Sequence, residues 1–242
     1  MSLARRHRER HAAAALAGVA IAAASARPVP EATEYELMLA QLGEDLRALS
    51  NIQSVERKIE TKRQMISRYD AWIEGALRAG ANGGQAAQDD IVTTMLVWHI
   101  DTASWIMALQ LGVHVLTHGL TLPERYKRTP ATLIAEEIAD ASLADVNAVD
   151  HGTLIATHGI TERHDMPDQV RAKLHKAIGR KLMQEAADFD PDAENAVAGG
   201  KGALLDAALE ALQRALKLDE KSGVKKDIES LERELKKLPQ AT

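Results

Sequence analysis

The side chains best suited to chemistry are carboxylates on one helix and cations on the next. Glu136 and Asp140 lie four apart in ATLIAEEIADASL, a spacing that puts both on one helical face. Metal-dependent cleavage of a phosphodiester needs carboxylates converging on one or two magnesium ions. Asp89 and Asp90 are adjacent at a helix start, where capping and the helix dipole account for them. His114 and His118 are also four apart, but no Glu completes an HExxH pattern and no third ligand has a fixed spacing. No metal centre is therefore expected, and both histidines read as helix-surface or helix-end residues. His151, His158 and His164 fall in a Gly- and Thr-containing connecting region where no site is read. GANGGQ and AGGKGA lack the Lys-Ser/Thr of a phosphate-binding loop, so no ATP hydrolysis and no cofactor is expected.

The cations follow a different logic. Formal net charge is −5, so any nucleic-acid contact must come from local basic patches. Lys173, Lys176 and Arg180 share a helix face, and no acid interrupts Gln169 to Gln184. Such a face is a candidate for DNA phosphates. Arg125, Lys127 and Arg128 make the LPERYKRTP connection basic, and Arg5, Arg6, Arg8 and Arg10 do the same for the N-terminus. The chain has no cysteine, which excludes disulfides and thiolate chemistry.

Helices must position these residues. Aromatics are scarce at 3% while Ala and Leu abound, favouring an all-α fold. Ile91 to Ile100 is apolar nearly all round and must be buried on most sides. With Ala103 to His118, stopped by Gly119, it forms an antiparallel helical hairpin. Thr33 to Glu36 reads as a capping box opening a long helix. Its stripe of Leu39, Leu42, Leu46, Leu49 and Ile52, prolonged by Val55 and Ile59, suits either packing on its own domain or subunit contact. Thr129-Pro130 starts a helix over about 131–143, and Met166-Pro167-Asp168 starts another. Ala208, Leu212 and Ala215 with LKLD resemble part of a tetratricopeptide repeat. Val224, Ile228, Leu231, Leu235 and Leu238 form a seam for packing on helix 203–218, with Glu229–Arg233 and Glu232–Lys236 as i,i+4 pairs. The expected organisation is a basic, Ala-rich arm at 1–30, a helical core and oligomerisation domain at 31–190, and a helical hairpin at 191–242. The arm also mimics a signal peptide, with a charged start, an apolar middle and an A-x-A-like end. Its middle is too short to span a membrane.

Several long blocks, in order, resemble one family. They are TEYELMLAQL, GGQAAQDDI, MLVWHIDT, HGLTLPERYKRTPATLIAEEIADA, MPDQVRAKLHKAIG and LQRALKLDEKSGVKKDIESLERELK, together reaching from about residue 33 to 236. They are similar to the terminase small subunit of cos-packaging tailed phages, the GpM-like family, often labelled the endonuclease subunit. The resemblance implies a protein that binds double-stranded phage DNA at the packaging (cos) site. It also implies a homo-oligomer, possibly a ring, that directs cleavage and translocation by the terminase large subunit. Such a protein works in the host cytoplasm, without a membrane partner, which argues against export. The alternatives are a tetratricopeptide-like interaction module without DNA binding and, from residues 1–27, an exported helical protein. Despite the family's label, the residues give no nuclease or ATPase motif, and cutting is expected to need the large subunit.

Overall fold

A computed structural model describes residues 33–81, 85–191 and 199–238. The arm at 1–30, with Arg5, Arg6, Arg8 and Arg10, lies outside the described residues. Every regular element among those described is a helix. They are α1 (Glu34–Ser50), α2 (Val55–Ile66), α3 (Asp70–Ala81), α4 (Asp90–Asp101), α5 (Trp105–Thr117), α6 (Pro130–Ala144), α7 (His151–Thr161), α8 (Asp168–Ala187), α9 (Gly200–Leu218) and α10 (Lys225–Leu235). The chain is therefore all-α. It divides into two compact units, Met1–Gln41 and Leu42–Thr242.

In the first unit, the capping box forms as the sequence predicts. The Glu36 carboxylate accepts from the Thr33 backbone N–H at 2.7 Å, and Thr33 Oγ1 accepts from the Glu36 N–H at 3.2 Å. The single long helix does not form. α1 ends at Ser50, and Ser54 caps α2 by accepting from the Arg57 N–H. A serine that satisfies an orphan donor competes with helix continuation, which the leucine spacing alone could not reveal. Val55 is 70% exposed, so it does not extend the stripe. Leu42 and Leu49 are buried, and Leu39, Leu46 and Ile52 are half-buried.

The second unit is built around α4. All ten residues from Ile91 to Ile100 are buried, which explains why this helix has no polar face. Asp89 caps it, with Oδ1 accepting from the Ile91 N–H at 2.8 Å and the Val92 N–H at 3.0 Å. Its other oxygen accepts from the Trp72 indole N–H at 2.8 Å, so one carboxylate both starts α4 and anchors α3. Tyr69 is fully buried, meets the Trp98 ring edge-on at 6.0 Å, and donates to Asp45 at 2.8 Å. Burial comes first, then the Asp45 hydrogen bond and charge, in raising the Tyr69 hydroxyl well above its ordinary range.

The hairpin predicted from the sequence forms, with Gly119 at φ +66° closing α5. His114 is buried rather than on the helix surface, because α5, like α4, carries apolar residues on nearly every side. The region around His151 is also not a connection. It is α7, capped by Asp150, whose Oδ1 accepts from the Thr153 N–H at 2.8 Å and Oδ2 from its hydroxyl at 2.6 Å. Thr153, Thr157 and Thr161 are buried there, and the last two bond their hydroxyls to the carbonyls four residues earlier. Glycines and threonines of low helix propensity hide this helix from a composition-based reading.

α9 lies against α8 at close range. A Cβ built on Gly179 would stand 2.6 Å from the Leu212 side chain and 3.2 Å from the Ala208 carbonyl oxygen. α10 returns on α9 with Val224, Ile228 and Leu231 buried. The expected i,i+4 ion pairs on α10 are replaced. Arg233 donates to the Glu229 carbonyl, and Glu234 takes Lys201 of α9 at 3.1 Å.

Candidate nucleic-acid interface

The site begins where α6 meets α8. Thr129 caps α6 and Pro130 opens it, which aims Glu136, Glu137 and Asp140 at α8 and the preceding loop. Lys173 of α8 donates to Glu136 at 3.1 Å and to Asp140 at 3.0 Å. Arg128 spans Glu136 at 2.6 Å and Glu137 at 2.7 Å. Burial pushes the Glu136 carboxyl up, but hydrogen bonds from Arg128 and Lys173 and their charges outweigh it, leaving it below its ordinary value. Lys173 is raised by the complementary balance, with burial opposed by the bonds to Asp140 and Glu136. The two acids that share a face thus converge on an ammonium group of their own chain. Among the described residues, no group of three His, Cys, Asp or Glu is arranged to hold a metal ion.

The rest of the α8 row is also engaged. Lys176 donates to the Ser222 carbonyl at 2.7 Å, and Arg180 to Asp227 at 3.0 Å. Burial, and then the charge of Arg180, lowers the Lys176 ammonium, with Asp227 opposing. The structure therefore brings Lys173, Lys176 and Arg180 onto one helix as expected, and ties each to a neighbouring element. In the 121–129 connection, Arg125 donates to buried Thr94 at 2.7 Å and lies 4.9 Å from the centre of the Tyr126 ring. Lys127 is exposed and bonds to no described residue.

A groove of about 690 Å³ runs between α7, α8 and α9. Its floor includes Ile178, Leu182 and Ala211, and its walls carry His151, His158, His175, Arg171, Arg214 and Lys217, with Glu162 and Glu210 among them. His158 and His175 meet edge to face with ring centres 5.0 Å apart. His151 Nδ1 lies 3.0 Å from Glu185. Burial, followed by the charges of His158, Arg214 and Arg171, pushes His175 down to about 4. The Arg171 guanidinium binds only carbonyl oxygens, those of Glu162 at 2.9 Å and of His164. Neutral carbonyls satisfy its donors without cancelling its charge. Arg214 and Lys217 are exposed and form no bond or ion pair with a described residue. These cations were missed from the sequence because Arg171 of α8 lies more than forty residues before Arg214 and Lys217 of α9, and only the packing of the two helices brings them together. Only Arg171 left a sign, as a member of the acid-free run from Gln169 to Gln184.

Residues 39–169 match the family described as Phage small terminase subunit. The chain belongs to that family. It is also 40% identical, over 218 residues, to the terminase endonuclease subunit of Escherichia phage P2, an alignment covering 89% of this chain and 80% of the relative. No solved structure matches it. This small terminase subunit is thus all-α on grounds internal to its own sequence and packing. Among its described residues, no helix is long and apolar enough to cross a membrane.

Proposed function

We propose that this small terminase subunit binds the viral packaging site, assembles with copies of itself, and directs the large subunit's cleavage and translocation of DNA in the host cytoplasm. The family match over residues 39–169 carries the reading. The groove of α7, α8 and α9 supports a DNA contact, because its cations can meet phosphates without first releasing an acid. Lys173, Arg180 and Arg128 can reach phosphate only by exchanging Glu136, Glu137, Asp140 or Asp227 for it, while Lys176, like Arg171 of the groove, need give up only carbonyls. Arg214 and Lys217 make no such exchange, and Arg125, Lys127 and the arginines of residues 1–30 add to the same electrostatic term. Multiple copies of the groove around one DNA multiply that term, which suits a subunit with net charge −5.

The relative from phage P2 is named an endonuclease subunit. Here Glu136 and Asp140 hold Lys173, so the reading assigns cutting to the complex with the large subunit. Purified subunit with magnesium or manganese is expected to leave packaging-site DNA intact, and addition of the large subunit to restore cutting. Cutting by the subunit alone, lost in a folded Glu136→Ala or Asp140→Ala variant, would overturn that assignment.

A further inference from the structure

Helix α5 is apolar on nearly every side, yet the fold buries only one of them. Leu111, Val115 and Ala108 are fully buried in the core. On the opposite side Ile106 is 74% and Val113 47% exposed, flanked by half-buried Leu109 and Leu116 and exposed Gln110. Positions 106, 109, 113 and 116 repeat at 3-4-3, the spacing of a helix-pairing seam. From Ala103 to Pro123 there is no Asp, Glu, Lys or Arg. A helix without a polar face is stable in water only when it is covered on all sides.

We propose that the outward face of α5 is covered by α5 of a second copy of this chain. The proposal rests on the reading that the protein is a homo-oligomer, and it assigns the contact. The charge pattern selects the occupant. The stretch from Ala103 to Pro123, which contains α5, offers 21 consecutive residues without a carboxylate, lysine or arginine, so two copies of a chain of net charge −5 can meet there without like-charge repulsion. A two-fold contact also requires a patch complementary to itself. An antiparallel crossing of two α5 helices satisfies this, since it sets Ile106 of one copy near Val113 of the other. The same crossing brings the two Gln110 amides within reach of each other, and an amide pair in an apolar seam fixes its register. Leu42 and Leu49 of the α1 stripe, by contrast, are already buried within their own chain.

The test uses the full chain in sedimentation velocity. Wild type is expected at a multiple of 26.3 kDa. Ile106→Glu with Val113→Glu is expected to reduce the mass while helicity by circular dichroism stays unchanged, because both side chains point to solvent. Should that pair disturb the fold, Gln110→Cys provides a second reading. The chain has no cysteine of its own, so diamide oxidation of this variant links two copies only if the residues meet. An oligomer that survives both glutamates, with no cross-link from Gln110→Cys, overturns the proposal and leaves the assembly reading intact. So does an oligomer dissociated by Leu39→Glu but not by the α5 variants. Unchanged self-association with lost binding to the large subunit gives the face to that partner and overturns the proposal. A monomeric wild type at micromolar concentration overturns both readings.

Discussion

At the scale of single residues, His175 reports the electrostatics of the groove. It is held down to about 4 by burial and then by the charges of His158, Arg214 and Arg171. In the unfolded chain it returns to the ordinary value of 6.5. Between those values the unfolded state binds more protons, so folding loses stability as pH falls from 6.5 toward about 4. Lowering pH from 6.5 to 5 is therefore expected to remove stability through this group. Denaturant unfolding at both pH values should show the loss in wild type, and a markedly smaller one in His175→Gln. An equal loss in both proteins would place the pH dependence elsewhere. The carboxylates do not confuse the reading. Glu136 and Asp150 are depressed below 4.5 and 3.8, so their contributions fade only in more acidic solution. Residue types revealed capping well, as with Asp89, Thr33 and Thr129, because a cap is a local event of three or four residues. They revealed pairing poorly. That Lys173 belongs to Glu136 and Asp140 depends on how α6 meets α8, a long-range fact absent from spacing along the chain.

Among the elements, those with one strong apolar pattern were legible and those built from weak formers were not. α4 and α5 followed from an uninterrupted apolar run and a glycine stop. α7 did not, since its fold rests on the Asp150 cap and on threonine hydroxyls that bond back to the previous turn. The break between α1 and α2 was hidden by a leucine stripe that runs straight through it. The close approach of α8 and α9 gives the sharpest test at this scale. Ala at Gly179 gains about 1 kcal/mol of helix propensity. It also forces fully buried Leu212 away from a Cβ 2.6 Å distant. Overpacking of this kind costs about 1–3 kcal/mol, so the steric term wins and Gly179→Ala is expected to lower the melting temperature. A melting temperature that rises would show that α9 moves aside freely, and that the crossing does not fix the groove.

For the whole molecule, charge is arranged so that an acidic chain presents positive sites locally. Acids answer Arg128, Lys173 and Arg180, half of the six described cations that the sequence brings forward. The groove cations, like Lys127 and Lys176, are answered by carbonyls or by no described residue, so no acid competes with a phosphate for them. The sequence blocks that resemble small terminase subunits run through both kinds of surface, so resemblance identified the family without singling out either surface. The direct measurement is binding of the full chain to a packaging-site duplex, followed by fluorescence anisotropy over a range of salt concentrations. Binding should exceed that to a scrambled duplex and weaken with salt. The paired substitution Arg214→Ala, Lys217→Ala should lower the slope of log affinity on log salt by about 0.9 for each phosphate that a bound subunit no longer neutralises. Absence of binding to the packaging site at the lowest salt, with the protein folded and assembled, would contradict the account.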